Sequence, residues 1–341
     1  MKARIVYIER KFWKKNFAAF SIEKIYEQIS KLLPADKFET ATVKVPFGNS
    51  FFDILRNLVF FKRPAADLYH VTGHIHYLSL ILPRNKTVLT IHDLGFLQNP
   101  GKLRRFVIRK LFLDLPVKKL DYITAVSETT RDAIIAATNC SPEKVVVIEN
   151  PVQEHYLTGR KKEFDKACPV ILQVGITPNK NIPNLIKALD GIDCRLRIIG
   201  NLTPDLIAHL EAGKIIYENA FGLDDLEMKR EYEQADIVAF CSTFEGFGMP
   251  IIEAQAMRTA VITSAINPMK DVAGQGAAFA DPNDVSSIRE GILKLIDDDE
   301  YRERLIEKGS KNALRFEARS IAGLYEKLYQ EVLEKSGRQR S

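Results

Sequence analysis

The feature that most constrains the fold is an alternation of short β-branched runs with longer amphipathic segments. Runs that predict strands in the first half lie at Arg4–Ile8, Thr40–Val45, Asp67–Val71, Thr87–Ile91, Tyr122–Val126 and Lys144–Ile148. In the second half they lie at Pro169–Val174, Arg195–Ile199, Lys214–Tyr217, Asp236–Phe240 and Ala260–Ser264. Segments with helical spacing of apolar residues include Ser21–Leu33, Ile182–Leu189, Asp224–Gln234, Pro250–Met257 and Val285–Ile296. Such alternation predicts parallel sheets covered by helices on both faces, and two successive series predict two α/β domains.

A polar stretch separates the two series. Asn150-Pro151 is followed by charged residues without periodicity as far as Asp165, and the proline stops the preceding strand. We therefore expect one Rossmann-like domain over residues 1–152 and a second over residues 168–316, sizes that a chain of 341 residues accommodates. A last amphipathic helix, at about residues 317–335, is expected to pack back on the first domain.

The cysteines and the N-terminal residues bear on the cellular compartment. The cysteines are Cys140, Cys168, Cys194 and Cys241. Because they form no Cys-x-x-Cys pair, the sequence argues against a zinc ribbon or a thioredoxin-type site and favours a reducing environment. The apolar run Ile5–Ile8 is cut short by charged residues, so it predicts a strand rather than a signal peptide. No apolar run approaches the ~18 residues of a membrane span, and we expect a cytoplasmic protein.

Charge is distributed unevenly along the chain. Residues 1–150 carry 24 Lys and Arg against 14 Asp and Glu, a net charge of +10, whereas the remaining residues carry 25 against 30, a net charge of −5. Much of the basic excess lies in Arg10–Phe17 and Lys102–Lys119, which mix cations with aromatic and aliphatic residues. That composition is typical of a helix on an anionic membrane surface, but a solvated basic face fits it equally well. Nucleic acid is not an expected partner, because no recognition motif accompanies the charge.

Two common nucleotide-binding motifs are absent from the sequence. A GxGxxG fingerprint would follow the first strand of a dinucleotide-binding domain, but the residues there are Glu9-Arg10-Lys11-Phe12-Trp13. A GxxxxGK[ST] loop is missing as well. The sequence therefore disfavours hydride transfer and excludes P-loop nucleotide hydrolysis.

The segment most informative about chemistry covers residues 242–254 and reads STFEGFGMPIIEA. It follows a predicted buried strand and opens a helix, with a proline suited to the first helical position. Gly246 and Gly248 allow a ligand to approach the backbone without a Cβ in the way. The N–H groups at a helix N-terminus favour anions, and the flanking carboxylates of Glu245 and Glu253 can each accept hydrogen bonds from two adjacent hydroxyls. The pattern indicates a site for phosphate or clustered sugar hydroxyls.

The spacing E-x7-E, with Gly-Phe-Gly-Met-Pro inside it, resembles the motif of the retaining glycosyltransferases of the GT-B fold (glycosyltransferase family 4). Five further motifs occur in the family's order and in matching strand and helix contexts. They are Val174-Gly175 with Lys180-Asn181 ("VG…KN"), Tyr232 with Ala235-Asp236 ("Y..AD"), Ile91-His92-Asp93 ("HD"), Val126-Ser127-Glu128 ("VSE") and Val147–Val152, at the place of a "PNGV" turn. The resemblance extends over most of the chain and implies two Rossmann-like domains that face each other across a cleft.

The resemblance also implies roles for individual residues. Glu245 would contact hydroxyls of the transferred sugar, and Glu253 would contact the ribose hydroxyls of the nucleotide. Lys180, in the loop that begins at Gly175, would neutralise the diphosphate leaving group. His92 would reach the sugar or the phosphate from the first domain. The donor-binding loop would comprise Gly246, Phe247, Gly248 and Met249, the last three through their backbone N–H groups.

The chain departs from the family pattern in three places. The family often places an Arg before the Lys of the phosphate loop, but the segment Gly175–Lys180 contains no Arg, so a second cation is missing or is supplied from elsewhere. The Gly-rich loop usual after the first strand is missing, and Met257-Arg258 stands at the place of the usual "CG". These departures bear on the phosphate geometry and on which donor fits, more than on the reaction class.

Four of the six histidines are concentrated within 23 residues of the first domain. They are His70, His74, His76 and His92. The first three could line the cleft and bind acceptor or donor hydroxyls, or they could be ordinary loop histidines. A metal site is not expected, because no carboxylate or cysteine is spaced to complete a ligand shell and no DxD motif occurs.

The function implied is transfer of a hexose from a UDP- or GDP-sugar to a hydroxyl of a glycan or lipid-linked acceptor, with retention of anomeric configuration. No metal or other cofactor is implied. The basic first domain would dock on the inner membrane face, in the synthesis of a cell-surface polysaccharide. Two alternatives stay open: a sugar-nucleotide epimerase or phosphorylase of the same architecture, and a non-catalytic sugar-binding protein.

Overall fold

The computed structural model describes residues 2–11, 21–48, 50–98, 101–158 and 163–338. The chain divides into two compact units. The first unit contains the described residues up to Pro151 and the C-terminal stretch from Ala318, and the second unit runs from Val152 to Glu317. Of the basic stretch Arg10–Phe17, the residues from Phe12 onward lie outside the described residues.

The first unit is built on a six-stranded sheet in the order β2-β1-β3-β4-β5-β6, in which each neighbouring pair is parallel. Its strands are β1 (Ala3–Glu9), β2 (Phe38–Lys44), β3 (Leu68–Val71), β4 (Thr87–Ile91), β5 (Tyr122–Ala125) and β6 (Val145–Val147). The helices that connect them are α1 (Ser21–Leu32), α2 (Phe51–Phe60), α3 (Lys102–Arg109), α4 (Leu115–Lys119) and α5 (Glu128–Thr138). All residues of β3 and β4 are buried, as expected of strands covered on both faces.

The second unit repeats this plan in the order β12-β11-β10-β7-β8-β9, again with parallel neighbours. Its strands are β7 (Val170–Val174), β8 (Arg195–Ile199), β9 (Tyr217–Ala220), β10 (Ile237–Phe240), β11 (Ala260–Ser264) and β12 (Ala278–Ala280). Its helices are α6 (Ile182–Ala188), α7 (Pro204–Ala212), α8 (Asp225–Gln234), α9 (Met249–Ala256), α10 (Met269–Ala273), α11 (Val285–Asp297) and α12 (Asp299–Ala313). The predicted fold class, α/β with two Rossmann-like parallel-sheet domains, is confirmed.

The last helix, α13 (Ala318–Arg338), belongs to the first unit and packs beside α1. Two of its tyrosines enter a buried polar network. The hydroxyl of Tyr325 lies 3.1 Å from that of Tyr26, and the hydroxyl of Tyr329 lies 2.7 Å from Nδ1 of His70. Satisfied buried hydrogen bonds of this kind fix the position of a helix more specifically than apolar packing alone.

Local sequence explains where several helices begin. Ser127, of the "VSE" motif, is the N-cap of α5, and its side chain accepts a hydrogen bond from the N–H of Thr130. Asp224 and Glu227 form a reciprocal capping box at the start of α8. Side-chain oxygens at these positions satisfy N–H groups that the first helical turn leaves without partners.

The structure corrects the sequence prediction at β9 and adds elements that it lacked. The strand begins at Tyr217 rather than Lys214, because Lys214 has a φ of 49° in the left-handed region and ends the turn after α7. The elements α7, α12 and β12 were not predicted. The strand β12 has only three residues, too few to display a periodicity.

Candidate active site

The order of strands in the second unit locates a site before any side chain is considered. From β7 the chain moves outward through β8 and β9, and then returns to the other side of β7 with β10. The loops after β7 and β10 therefore diverge at the carboxyl edge of the sheet. Open α/β sheets bind ligands at such a reversal of strand order. Both loops carry residues that the sequence singled out.

The loop after β7 is shaped by a glycine with positive φ. Gly175 has a φ of 85°, and a Cβ at this position would lie 3.0 Å from Cε of Lys180. The glycine thus leaves room for the lysine side chain to fold back across the start of the loop. Asn181, also in the left-handed region, donates from Nδ2 to the carbonyl oxygens of Cys241 and Pro282, 3.0 and 2.6 Å away. Within the "KN" pair, Asn181 therefore holds the loop in place, and Lys180 is left to face the loop after β10.

Lys180 and Glu245 are brought together from the two loops. Nζ of Lys180 lies 2.7 Å from Oε1 of Glu245, and both side chains are mostly buried, with 16% and 15% of their areas exposed. The same ammonium lies 4.3 Å from the ring centroid of Phe240, within range of a cation–π interaction. Asn179, directly before Lys180, donates from Nδ2 to Glu245 Oε1 at 3.1 Å and to the carbonyl of Phe244 at 2.9 Å. The carboxylate of Glu245 is held by one cation and one neutral amide.

The loop after β10 leads into α9 through Gly248. Its φ of 121° is unfavourable for other residues, and a Cβ there would lie 2.9 Å from Cδ1 of Ile251. The side chain of Phe247 is buried against Phe316, with ring centroids 5.6 Å apart. With the Phe247 side chain packed inward, this part of the loop offers its backbone at the N-terminus of α9. The helix starts at Met249, so the proline occupies the second helical position rather than the predicted first.

Glu253 lies one turn inside α9 and is oriented by a buried tyrosine. The hydroxyl of Tyr232, from α8, donates to Oε2 of Glu253 over 2.6 Å. The ring of Tyr156 meets that of Tyr232 edge to face, with centroids 5.3 Å apart. Burial, followed by the negative charge of Glu253, raises the pKa of both tyrosines well above the usual value, so both hydroxyls stay protonated.

The four histidines of the first unit do not form a single site. His70 is fully buried, with Nδ1 on Tyr329 and Nε2 2.7 Å from Oγ1 of Thr90, and His76 is buried with Nδ1 2.7 Å from the carbonyl of Phe112. The expectation that both could line a cleft is wrong, because their rings are enclosed in the core. Burial is the main reason that the pKa of each falls to about 3. His74 is only partly buried, and its ring stacks on that of His76 at 6.0 Å.

His92 follows β4 in the first unit, whereas Lys180, Glu245 and Glu253 belong to the second. Its Nε2 lies 2.8 Å from the carbonyl oxygen of Thr72. Burial, followed by the charge of His74, lowers the pKa of His92 to about 4, so the ring is neutral near pH 7. Since a carbonyl only accepts hydrogen bonds, Nε2 carries the proton and Nδ1 presents a lone pair.

Two residues around the second-unit site were not predicted from the sequence. Asn179 belongs to the segment Gly175–Lys180 but had no predicted role, because its amide contact with Glu245 depends on the two loops meeting. Tyr156 lies within the polar stretch that separates the two series and belongs to no motif. Tyr232 was quoted as part of a motif without a role, and the spacing of 21 residues to Glu253 gave no sign of their hydrogen bond.

Known structures share the architecture of the chain. The structure of HepE from Anabaena, in complex with UDP and glucose, aligns with a TM-score of 0.76 at 16% sequence identity, covering 96% of this chain and 100% of that one. At this level of identity the likeness shows the fold.

Family models match both halves of the chain. The model described as Glycosyltransferase Family 4 matches residues 28–156, and the model described as Glycosyl transferases group 1 matches residues 158–312. Each half of the chain therefore matches a glycosyltransferase family, and the two parallel-sheet domains are those of the GT-B fold. Together the two matched segments contain all six motifs quoted from the sequence.

Two curated glycosyltransferases are among the most similar proteins. The O-antigen chain mannosyltransferase RfbU of Salmonella typhimurium is 29% identical over 224 residues, which are 63% of this chain and 62% of the relative. The O-antigen chain mannosyltransferase B of Escherichia coli is 28% identical over 278 residues, 73% of this chain and 70% of the relative. The chain thus aligns with somewhat under two thirds of the length of the first relative.

The part of the chain that the structure describes contains neither a metal-binding cluster nor a membrane-spanning helix. Within it, no group of three or more His, Cys, Asp or Glu side chains is arranged to hold a metal ion. None of its helices in the described ranges combines the length and apolar character needed to cross a membrane.

Proposed function

We propose that this protein transfers a hexose from a nucleotide diphosphate sugar to a hydroxyl of a glycan or lipid-linked acceptor, with retention of anomeric configuration. The observation that carries the proposal is the convergence of Lys180, Glu245 and Glu253 at the strand-order reversal of the second unit. The two relatives named as O-antigen mannosyltransferases support a role in cell-surface polysaccharide synthesis and make a mannose donor the first to test.

The donor is bound by the loop after β10 and by α9. Glu253, oriented by Tyr232, accepts hydrogen bonds from the ribose hydroxyls, and Glu245 accepts them from the sugar. The backbone N–H groups of Phe247, Gly248 and Met249 hold phosphate and sugar oxygens at the positive end of the helix. Gly246 keeps the approach to this backbone open, and the complex of HepE with UDP and glucose is in keeping with such a donor.

Lys180 supplies the cationic charge for the departing diphosphate, beside the turn at Gly175. The bond between the anomeric carbon and the phosphate oxygen breaks while the acceptor oxygen bonds to the same face of that carbon. The acceptor proton passes to the departing phosphate oxygen. As negative charge grows on the phosphate, the Lys180 ammonium shifts part of its interaction from Glu245 to the leaving group, which lowers the barrier. A lysine and a helix N-terminus take the place of a divalent metal in this scheme.

His92 contributes from the first unit as a hydrogen-bond acceptor. Its Nε2–H is engaged by Thr72, and Nδ1 presents a lone pair that suits a sugar hydroxyl and would repel a phosphate oxygen. Of the two partners that the sequence suggested, the geometry therefore favours the sugar.

The acceptor is proposed to be presented at the inner membrane face. The net charge of +10 over residues 1–150, against −5 over the rest, supports attraction of the first unit to anionic lipid. The enzyme would then be cytoplasmic and peripheral.

Calorimetric titration with a panel of UDP- and GDP-sugars tests the proposal. One donor should bind, and Glu253→Ala should weaken that binding by roughly 1–3 kcal/mol, the range for removing a charged hydrogen-bond partner. The matched control is Glu290→Ala, an exposed glutamate on α11, which should leave the affinity unchanged. If no nucleotide sugar binds, or if both variants behave alike, the proposed donor site is wrong.

A further inference from the structure

The helix α2 turns an unusual number of large apolar side chains outward. Phe51, Phe52, Leu55, Val59 and Phe60 are exposed, and Phe52 and Val59 show 72% and 74% of their areas. The opposite side of the helix, with Ile54 and Asn57, is buried. Folded proteins seldom leave such a contiguous apolar row in water unless it contacts a partner or a membrane.

The helix α3 has no buried residue and combines apolar with basic side chains. Leu103 and Phe106 show 80% and 59% of their areas, and none of the eight residues of α3 is buried. The exposed cations on and directly after the helix are Lys102, Arg104, Arg105, Arg109 and Lys110. The structure thus shows that the predicted basic stretch from Lys102 is a helix that leaves both its cations and its apolar side chains accessible.

The two helices lie on the same side of the first sheet. The connections from β2 to β3 and from β4 to β5 run in the same direction along the strand order, and right-handed crossovers place such connections on one face. Side-chain contacts support the placement of α2 and α3 on one face of the sheet. Asn57 of α2 donates to the hydroxyl of Tyr77 at 2.8 Å, and the ring of Tyr77 meets Phe112, just after α3, at 5.3 Å. We call the exposed residues of α2 and α3, together with Lys62 and Arg63, the α2–α3 face.

The charge of the α2–α3 face indicates which kind of partner binds it. Arg56, Lys62 and Arg63 are exposed beside the apolar row of α2, and α3 contains no acidic residue. The acidic groups nearby are paired: Asp53 lies 3.7 Å from Arg56, and Asp114 lies 2.9 Å from Lys110. A second copy of the chain would bring the same cations against each other in a two-fold interface. A surface with anionic headgroups above an apolar layer complements both the charges and the aromatic row.

We propose that the α2–α3 face docks on a bilayer containing anionic lipid. The phenylalanine, leucine and valine side chains enter the boundary between headgroups and acyl chains, and the Lys and Arg side chains contact the lipid phosphates. This deepens the proposed function, since a lipid-linked acceptor would lie in the same surface. It adds α2, with Lys62 and Arg63, to the basic stretch from Lys102 that the sequence had indicated.

Co-sedimentation of the full chain with vesicles tests the docking. The vesicles consist of phosphatidylcholine alone or of phosphatidylcholine mixed with phosphatidylglycerol. The wild-type protein should partition at least tenfold more onto the mixed vesicles, and added salt should reduce the difference. The double variant Phe52→Ser/Val59→Ser, which keeps the net charge, should lose roughly tenfold or more in partitioning. Arg104→Glu/Arg105→Glu should lose at least as much.

The matched control is Lys187→Glu/Lys311→Glu, with the same change of charge on exposed residues of the second unit. It should bind vesicles nearly as the wild type does. Equal binding of the wild type to both vesicles, wild-type binding by the serine variant, or an equal loss in the control would each overturn the proposal. So would a dimer in sedimentation velocity that the serine variant dissolves while no vesicle binding is seen.

Calorimetric titration of each variant with the nucleotide-sugar panel keeps this result separate from the proposed function. Intact donor binding with no vesicle binding would remove the docking face and leave the donor site standing. Vesicle binding without binding of any nucleotide sugar would support the docking face and contradict the proposed donor site.

Discussion

The hydroxyl of Tyr232 donates a hydrogen bond of 2.6 Å to the carboxylate of Glu253, and the tyrosine itself is fully buried. The tyrosine therefore acts on a ligand only through the glutamate. In Tyr232→Phe the ring still packs against Tyr156, but the carboxylate of Glu253 loses the hydrogen bond from the tyrosine hydroxyl. We expect the KM for the nucleotide sugar to rise roughly tenfold, as for loss of a hydrogen bond to a charged group, with kcat unchanged.

Steady-state kinetics with the donor identified by titration measure this split. Tyr301→Phe, on α12, serves as the control for removal of a tyrosine hydroxyl from the second unit. A fall in kcat at constant KM would show that Tyr232 does not position a donor-binding group.

Lys180→Ala should affect the chemical step more than donor binding. The ammonium is neutralised by Glu245 in the structure, so its full charge becomes available only as the phosphate departs. We expect kcat to fall about 100-fold or more, the range for removing one transition-state donor, and donor affinity to fall less than tenfold. The control is Lys187→Ala, an exposed lysine on α6. A rise in KM with kcat intact would make Lys180 a binding residue only.

Gly248→Ala should destabilise the second unit. The φ of 121° disfavours alanine, and the added Cβ would press on Ile251 at 2.9 Å. We expect a penalty of about 1–3 kcal/mol, seen as a thermal midpoint lowered by several degrees. Gly323→Ala is the matched control, because its Cβ meets no atom within 4 Å and alanine is the better helix former. Equal midpoints for the two variants would contradict the strained geometry at Gly248.

Stability should depend on pH with opposite signs at two buried groups of the first unit. Burial lowers the pKa of His70 to about 3, below its unfolded value near 6.5, so folding binds fewer protons and stability falls as pH drops below about 6.5. Burial, with the charge of Glu23, raises the pKa of Glu9 to about 7, so stability falls as pH rises from about 4.5 to 7.

We expect His70→Gln to reduce the loss of stability at acid pH, and Glu9→Gln to reduce the loss of stability as the pH rises toward neutral. Thermal midpoints measured between pH 4 and pH 8 for the wild type and both variants give the comparison. Parallel curves for all three proteins would mean that neither group titrates differently on folding.

The sequence by itself determined the parallel α/β architecture, most strand positions and the E-x7-E segment. These follow from local rules: β-branched runs alternate with helical periodicity, and glycines mark the turns at Gly175 and Gly248. The domain limits at residues 1–152 and 168–316 and the roles of the site residues remain predictions.

Only the tertiary structure decided which groups meet. Lys180 and Glu245 are 65 residues apart, and His70 and Tyr329 are 259 residues apart, so their contacts depend on strand order rather than on spacing. Whether a side chain is buried likewise depends on which other helices or strands pack over it. His70, expected to line the cleft or to lie in a loop, is instead buried against Tyr329 of α13. The phenylalanines of α2 are apolar enough for a core, but they stay on the surface because no described element packs over them.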